Sequence, residues 1–290
     1  MITEEKIKEV VVELLTRAST TLPPDIISAL KSAHENEELP AAKMQLKAII
    51  ENVDIACKST KPLCQDTGVP IFYVKLGKVE HGNINKAIID GVAEATKKIP
   101  LRPNAVHPIT RKNPGNNVGM NMPYINYKLI DEPYIEITAF PKGAGSENMS
   151  ALAMLVPSQG IKGIKEFVLN TVMKAGSNPC PPTVIGLGIG GSADIAMKLA
   201  KEALLRPITQ RHAEPEIAKL EEDLKDALNM LGIGPMGLGG KTTVLGVNAE
   251  YAYCHTASLP VAVNVQCWAA RRSSCRINAD GRLEYEKGVC

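Results

Sequence analysis

The run Thr183-Val184-Ile185-Gly186-Leu187-Gly188-Ile189-Gly190-Gly191 restricts the fold more than any other stretch of this chain. Branched apolar residues alternating with glycine suit a strand, and helical patterning resumes from Ser192 to Leu204. A strand lacking side chains at alternate positions lets a helix backbone lie close against it. The same glycines match G-x-G-x-x-G. A dinucleotide fold, however, needs a second strand ending in Asp or Glu about 20 residues further on. That distance falls at Leu205-Arg206-Pro207 with no strand between, so strand-helix packing is the reading taken and nicotinamide binding the alternative.

Around this run the patterning mixes both periods. Ile7, Val10, Val11, Leu14 and Leu15 form a helical stripe, Asp25 starts a second helix after Pro23-Pro24, and a third runs from about 41 to 58. Strand-like runs follow at 69–76, 125–129 and 134–140, with a helix near 83–98 between the first two. Helical patterns return at 162–174, 192–204 and 214–231. Strands are then predicted at 242–247, 261–266, 274–278 and 282–285. The fold class expected is α+β, with N-terminal helices followed by mixed, largely antiparallel sheets with packed helices. Residues 1–290 are expected to form one domain.

Charge narrows the partners. A formal charge of +2, from 33 basic and 31 acidic residues without single-sign blocks, argues against nucleic acid or an anionic membrane surface. No basic n-region leads into an apolar segment, and apolar runs stay well short of the roughly 20 residues that cross a bilayer. A cytoplasmic protein acting on a small molecule or another protein is expected. Cys57, Cys64, Cys180, Cys254, Cys267, Cys275 and Cys290 should then be reduced thiols. None forms a C-x-x-C pair, so a metal site would have to gather isolated cysteines from distant loops.

Several loops concentrate chemistry, each with a plainer reading beside it. Lys61-Pro62-Leu63-Cys64-Gln65-Asp66-Thr67-Gly68 is stiff and polar, yet Cys64 alone could be a small buried apolar residue and Asp66 a turn residue. Asn178-Pro179-Cys180-Pro181-Pro182 is rigid enough for a ligand or for a connection into a strand. Lys142-Gly143-Ala144-Gly145-Ser146-Glu147-Asn148 exposes backbone amides suited to a carboxylate, or is a flexible turn. Arg102 and Arg111 could fork onto a dicarboxylate or lie on the surface. His255 and the cysteines Cys254 and Cys267 lie in one segment whose ligands chemistry alone does not rank. Gly237 to Thr243 ends like a phosphate loop, but Pro235 stands where its first glycine is required. Lys241 is therefore read as a structural or solvated residue that could still meet a carboxylate.

Taken together, Lys-Pro-Leu-Cys-Gln-Asp-Thr-Gly, Asn-Pro-Cys-Pro-Pro, Gly-Pro-Met-Gly-Leu-Gly-Gly-Lys-Thr-Thr and the His-to-Cys-Trp-Ala segment resemble, in order and over nearly the whole chain, the class I iron-sulfur fumarate hydratases. The likeness is strongest to the alpha subunit of the two-subunit form, with L-tartrate dehydratase alpha subunits as close relatives. The resemblance implies that Cys64, Cys180 and Cys267 hold a 4Fe-4S cluster with one open iron. It places Gln65, Asp66, Arg102, Gly143, Gly145 and His255 around the substrate and leaves Cys57, Cys254, Cys275 and Cys290 as ordinary thiols.

The expected reaction is the reversible hydration of fumarate to L-malate, a step of the tricarboxylic acid cycle. Asp66 would exchange a proton at the hydroxyl and His255 would hydrogen-bond to it. Because single-chain members carry a further C-terminal domain, the resemblance also implies a separate beta subunit, in a heterodimer that pairs into a heterotetramer. The competing readings are an L-tartrate dehydratase alpha subunit, a non-catalytic iron-sulfur binding module and a nicotinamide oxidoreductase.

Overall fold

A computed structural model describes residues 1–286 and 288. In chain order the elements are α1 (Glu4–Thr20), α2 (Pro24–Asn36), α3 (Pro40–Ser59), β1 (Val69–Leu76), α4 (Ile84–Lys98), β2 (Tyr124–Leu129), β3 (Tyr134–Lys142), α5 (Ala144–Glu147), β4 (Ala151–Leu155), α6 (Gly160–Ala175), β5 (Thr183–Gly190), α7 (Ala193–Ala203), α8 (Pro215–Asn229), β6 (Val244–Ala252), β7 (Leu259–Gln266), β8 (Ser273–Asn278) and β9 (Leu283–Tyr285). Contacts gather these into two compact units. The first takes residues 1–24, 52–144 and the described residues from 271 onward; the second takes 25–51 and 145–270.

In the first unit, the Thr3 hydroxyl accepts from Lys6 N–H at 3.2 Å and Asn83 Oδ1 accepts from Lys86 N–H at 3.0 Å, capping α1 and α4. Their apolar stripes meet where Gly91 would set a Cβ only 2.7 Å from Val11 Cγ1, so a bare α-carbon permits the crossing. Beneath them lies a five-stranded sheet of order β2-β1-β3-β8-β9, with only β1 and β2 parallel. Ile7, Val11 and Leu14 from α1, Ile88 and Val92 from α4, and Phe72, Ile137 and Ile277 from the strands form the core.

The second unit holds a four-stranded sheet, β4-β7-β5-β6, again with one parallel pair, β5 with β6. Val261, Val263 and Val265 of β7 pack with Val168 of α6 and Leu224 of α8, while Ala262 packs with Ala196 and Ala200 of α7. Alternate β7 residues thus serve opposite faces of the sheet. The glycines of β5 behave as read from the sequence. A Cβ on Gly186 would stand 2.0 Å from Ala200 O, and one on Gly188 1.9 Å from Ala196 O, so α7 rests on bare backbone.

The α+β architecture and its mixed, mostly antiparallel pairing are as expected. Two elements were not anticipated. Strand β4 reads Ala-Leu-Ala-Met-Leu and lacks apolar-polar alternation, although in the fold its residues alternate between half-buried and exposed. The glycine-rich segment after β3 is a short helix, α5, because Ala144 N–H finds an acceptor on a distant side chain. No helix among the described residues is long and apolar enough to cross a membrane.

Candidate active site

In the first unit the Cys64 loop is held from its start. Leu63 N–H donates to Ser19 O at 2.8 Å and Leu63 O accepts from Asn52 Nδ2 at 2.9 Å, so half-buried Cys64 follows a pinned, buried residue. Asp66 is engaged by both carboxylate oxygens. Oδ1 accepts from Gly68 N–H at 3.0 Å and from Asn104 Nδ2 at 3.3 Å, while Oδ2 accepts from Ala144 N–H at 2.8 Å. Gly68, at φ +81°, lies so near the end of β3 that a Cβ would fall 2.8 Å from the Lys142 backbone. The loop therefore tolerates no side chain there.

Arg102 joins through its backbone. Its N–H donates to Thr67 Oγ1 at 3.0 Å and its carbonyl accepts from the same hydroxyl at 3.3 Å, leaving the side chain exposed. Gln65 is exposed as well and Gly143 is buried. A Cβ on Gly143 would stand 3.2 Å from Asp66 Oδ2 and 3.5 Å from Arg271 Nη2. Arg271, not singled out from the sequence, is 1% exposed and donates from Nη2 to the Asp66 carbonyl at 2.9 Å. An Arg-Arg pair reads as surface charge; its burial follows from where β8 pairs with β3, which no local pattern signals.

In the second unit Cys180 adopts φ +55°, a left-handed conformation that costs a non-glycine residue roughly 1–2 kcal/mol. Its N–H donates to Ser177 O at 3.0 Å, its carbonyl accepts from Trp268 N–H at 3.2 Å, and Pro181 O accepts from Met236 N–H at 2.8 Å. The Trp268 bond joins the backbone of Cys180 to the residue after Cys267, which brings the two cysteine-bearing segments together. His255 is exposed, and its Nδ1 accepts from Ala257 N–H at 3.1 Å. The neutral ring therefore carries its proton on Nε2 and presents a donor. Gly145 is exposed, with Asn178 O 3.4 Å from the position of a Cβ. Glu147, at the end of α5, accepts from Asn264 Nδ2 of β7 at 3.0 Å and pairs with Lys201.

Thiol chemistry separates the cysteines. Cys64, Cys180 and Cys267 are half-buried thiols outside any disulfide, placed on loops as ligands require. Cys275 is buried in the first core, and burial pushes its thiol up to about 11, which suits an inert apolar residue. Cys254 is an exposed thiol whose Sγ donates to Ser258 O at 3.2 Å. Cys57 departs from the expectation of an ordinary thiol, since it is disulfide-bonded; Cys290 lies outside the described residues. Among the described residues no three His, Cys, Asp or Glu side chains already stand as a metal-holding group. The fit to a cluster therefore rests on the donor set of three such thiols and on the backbone bond between the Cys180 and Cys267 segments.

The phosphate-loop look-alike holds a protein carboxylate. Lys241 N–H donates to Glu37 Oε2 at 2.8 Å, Glu37 is 2% exposed, and a Cβ on Gly240 would stand 2.6 Å from that oxygen. Lys241 Nζ pairs with Glu38. Lys241 is thus structural and meets a carboxylate.

The family model described as fumarate hydratase (Fumerase) matches residues 8–276, and the chain belongs to this family, as an alpha-type chain of its class I. A Methanocaldococcus jannaschii protein provisionally named L(+)-tartrate dehydratase subunit alpha is 55% identical over 288 residues, covering 96% of this chain and 100% of that protein. The L(+)-tartrate dehydratase subunit alpha of Escherichia coli K12 is 36% identical over 282 residues, covering 96% and 93%. That of Shigella sonnei stands at the same values.

Proposed function

We propose that residues 1–290 act as one catalytic domain, the alpha subunit of a hydro-lyase that reversibly hydrates fumarate to L-malate. The observation that carries this is the carboxylate of Asp66, held on both oxygens two residues from Cys64 and beside the side-chain-free Gly143. A carboxylate fixed in this way has its reactive geometry set before substrate arrives. Cys64, Cys180 and Cys267 would hold a 4Fe-4S cluster, which when bound supplies an open iron as Lewis acid for the substrate's oxygen.

This chain's own residues do the remaining work. Asp66 exchanges a proton at the hydroxyl oxygen, and His255 presents an Nε2–H donor. Arg102 and Gln65, both exposed, engage a substrate carboxylate through guanidinium and amide donors. Gly143 and Gly145 keep bulk away from it. A beta subunit completes the enzyme in a heterodimer that pairs again, as the "subunit alpha" in the relatives' names suggests for those proteins. The cytoplasm and the tricarboxylic acid cycle are the setting this activity would have.

Dehydration of L-tartrate is the second reading, favoured by the names of the relatives. The Gly143-to-Asn148 loop resembles fumarases and favours the first. Anaerobic reconstitution with the beta subunit and parallel assays on fumarate, L-malate and L-tartrate distinguish them. Faster turnover of fumarate and L-malate is expected. Preference for L-tartrate would move the assignment to tartrate dehydratase, and a loaded complex without turnover would mark an iron-sulfur binding module.

A further inference from the structure

Arg271 is out of keeping with a residue retained for stability. It is 1% exposed, yet among the described residues Nε and Nη1 have no hydrogen-bond partner, and Nη2 donates to the main-chain carbonyl of Asp66 at 2.9 Å. A buried donor left unsatisfied carries the full cost of its lost hydration, more when charged. Apolar replacements of buried charges are often neutral or stabilising. The bond it does make acts on the Gln65-Asp66-Thr67 segment, 205 residues away in sequence.

The surroundings show what that bond achieves. Asp66 Oδ2 is drawn toward Ala144 N–H, and its Oδ1 toward Gly68 N–H and Asn104 Nδ2. Those contacts orient the carboxylate, and none of them engages the main-chain carbonyl of Asp66. Arg271 Nη2 adds a hold on that carbonyl. Gly143 favours the arrangement, since a Cβ there would crowd Asp66 Oδ2 at 3.2 Å while meeting Arg271 Nη2 at an ordinary 3.5 Å. A lysine could place one charge there, but its ammonium stands on a flexible stem rather than on the rigid planar group that presents Nη2 to the carbonyl.

We propose that Arg271 is a positioning residue, whose buried guanidinium clamps the Asp66 peptide and so fixes the direction of the Asp66 carboxylate. The clamp is a property of the fold. Its effect on turnover rests on the proton-transfer role given to Asp66 above.

The test uses the full chain as Arg271→Met and Arg271→Lys, alone and reconstituted with the beta subunit, with iron per chain as a control. Both variants should melt within about 3 °C of wild type, whereas amide exchange across 65–68 should quicken about tenfold with core strands unchanged. In the complex, kcat should fall about 100-fold with KM changed less than about threefold, and added guanidinium should restore part of the rate to Arg271→Met but not to Arg271→Lys. Unchanged exchange across 65–68 would overturn the clamp, as would a large fall in melting temperature in both variants, which would make Arg271 a structural residue. Quickened exchange with undiminished kcat would keep the clamp and refute the role of Asp66 in turnover.

Discussion

At the scale of single residues, what matters is how completely a side chain is held. Both oxygens of Asp66 accept from groups on three different stretches of chain, so an amide that keeps one acceptor oxygen keeps the contacts on one side. Asp66→Asn should therefore keep the fold and the iron content while lowering kcat by about 10²–10⁴-fold, the range expected for loss of a general acid-base group. Retention of wild-type turnover by a fully loaded complex would remove Asp66 from the reaction. Cys275 and Tyr285 present the opposite case. Burial pushes Cys275 from near 9 up to about 11 and Tyr285 from 10 up to about 12, so both keep their protons longer folded than unfolded. Their contribution to stability is complete below about pH 9 and is lost as pH rises through about 11 to 12. The melting temperature should fall over that interval, less steeply in Cys275→Ala. At pH 8 iodoacetamide should label exposed Cys254 in the native chain and spare Cys275 until it unfolds, as peptide mapping would show.

At the scale of elements, the glycines of β5 set how the sheet and α7 meet. Gly188→Ala would drive a methyl group into Ala196 O, where the ideal Cβ stands 1.9 Å away, so α7 would have to move. Overpacking of this kind costs about 1–3 kcal/mol, and a drop of about 5 °C in melting temperature is expected. NADH titration of the wild-type chain should show no binding, because Gly186 and Gly188 are taken up by close packing against α7 and Gly190 by the Ala252 backbone. The same residues were legible beforehand as close packing, since alternation of Val or Ile with Gly is a local pattern. Strand β4 was not legible, because five consecutive apolar residues carry no period. The Gly237-to-Thr243 loop was legible only in part: Pro235 showed that it was no nucleotide loop, but nothing nearby in sequence indicated Glu37 as the carboxylate it holds.

At the scale of the whole molecule, the alpha chain alone, even with iron and sulfide restored, is expected to show at most a few per cent of the turnover of the reconstituted complex, since binding groups that raise kcat act together. Comparable rates with and without the beta subunit would refute the two-subunit reading. What the sequence determined by itself was most of the elements, the α+β class and the family, because helical and strand periods and short motifs are written in neighbouring residues. What only the tertiary structure decided was the holding of Asp66, by Asn104, Ala144 and Arg271 at separations of 38, 78 and 205 residues. Hydrogen bonds across such separations depend on strand pairing and burial, so Arg271 could be recognised only after β8 had been paired with β3 and its guanidinium enclosed.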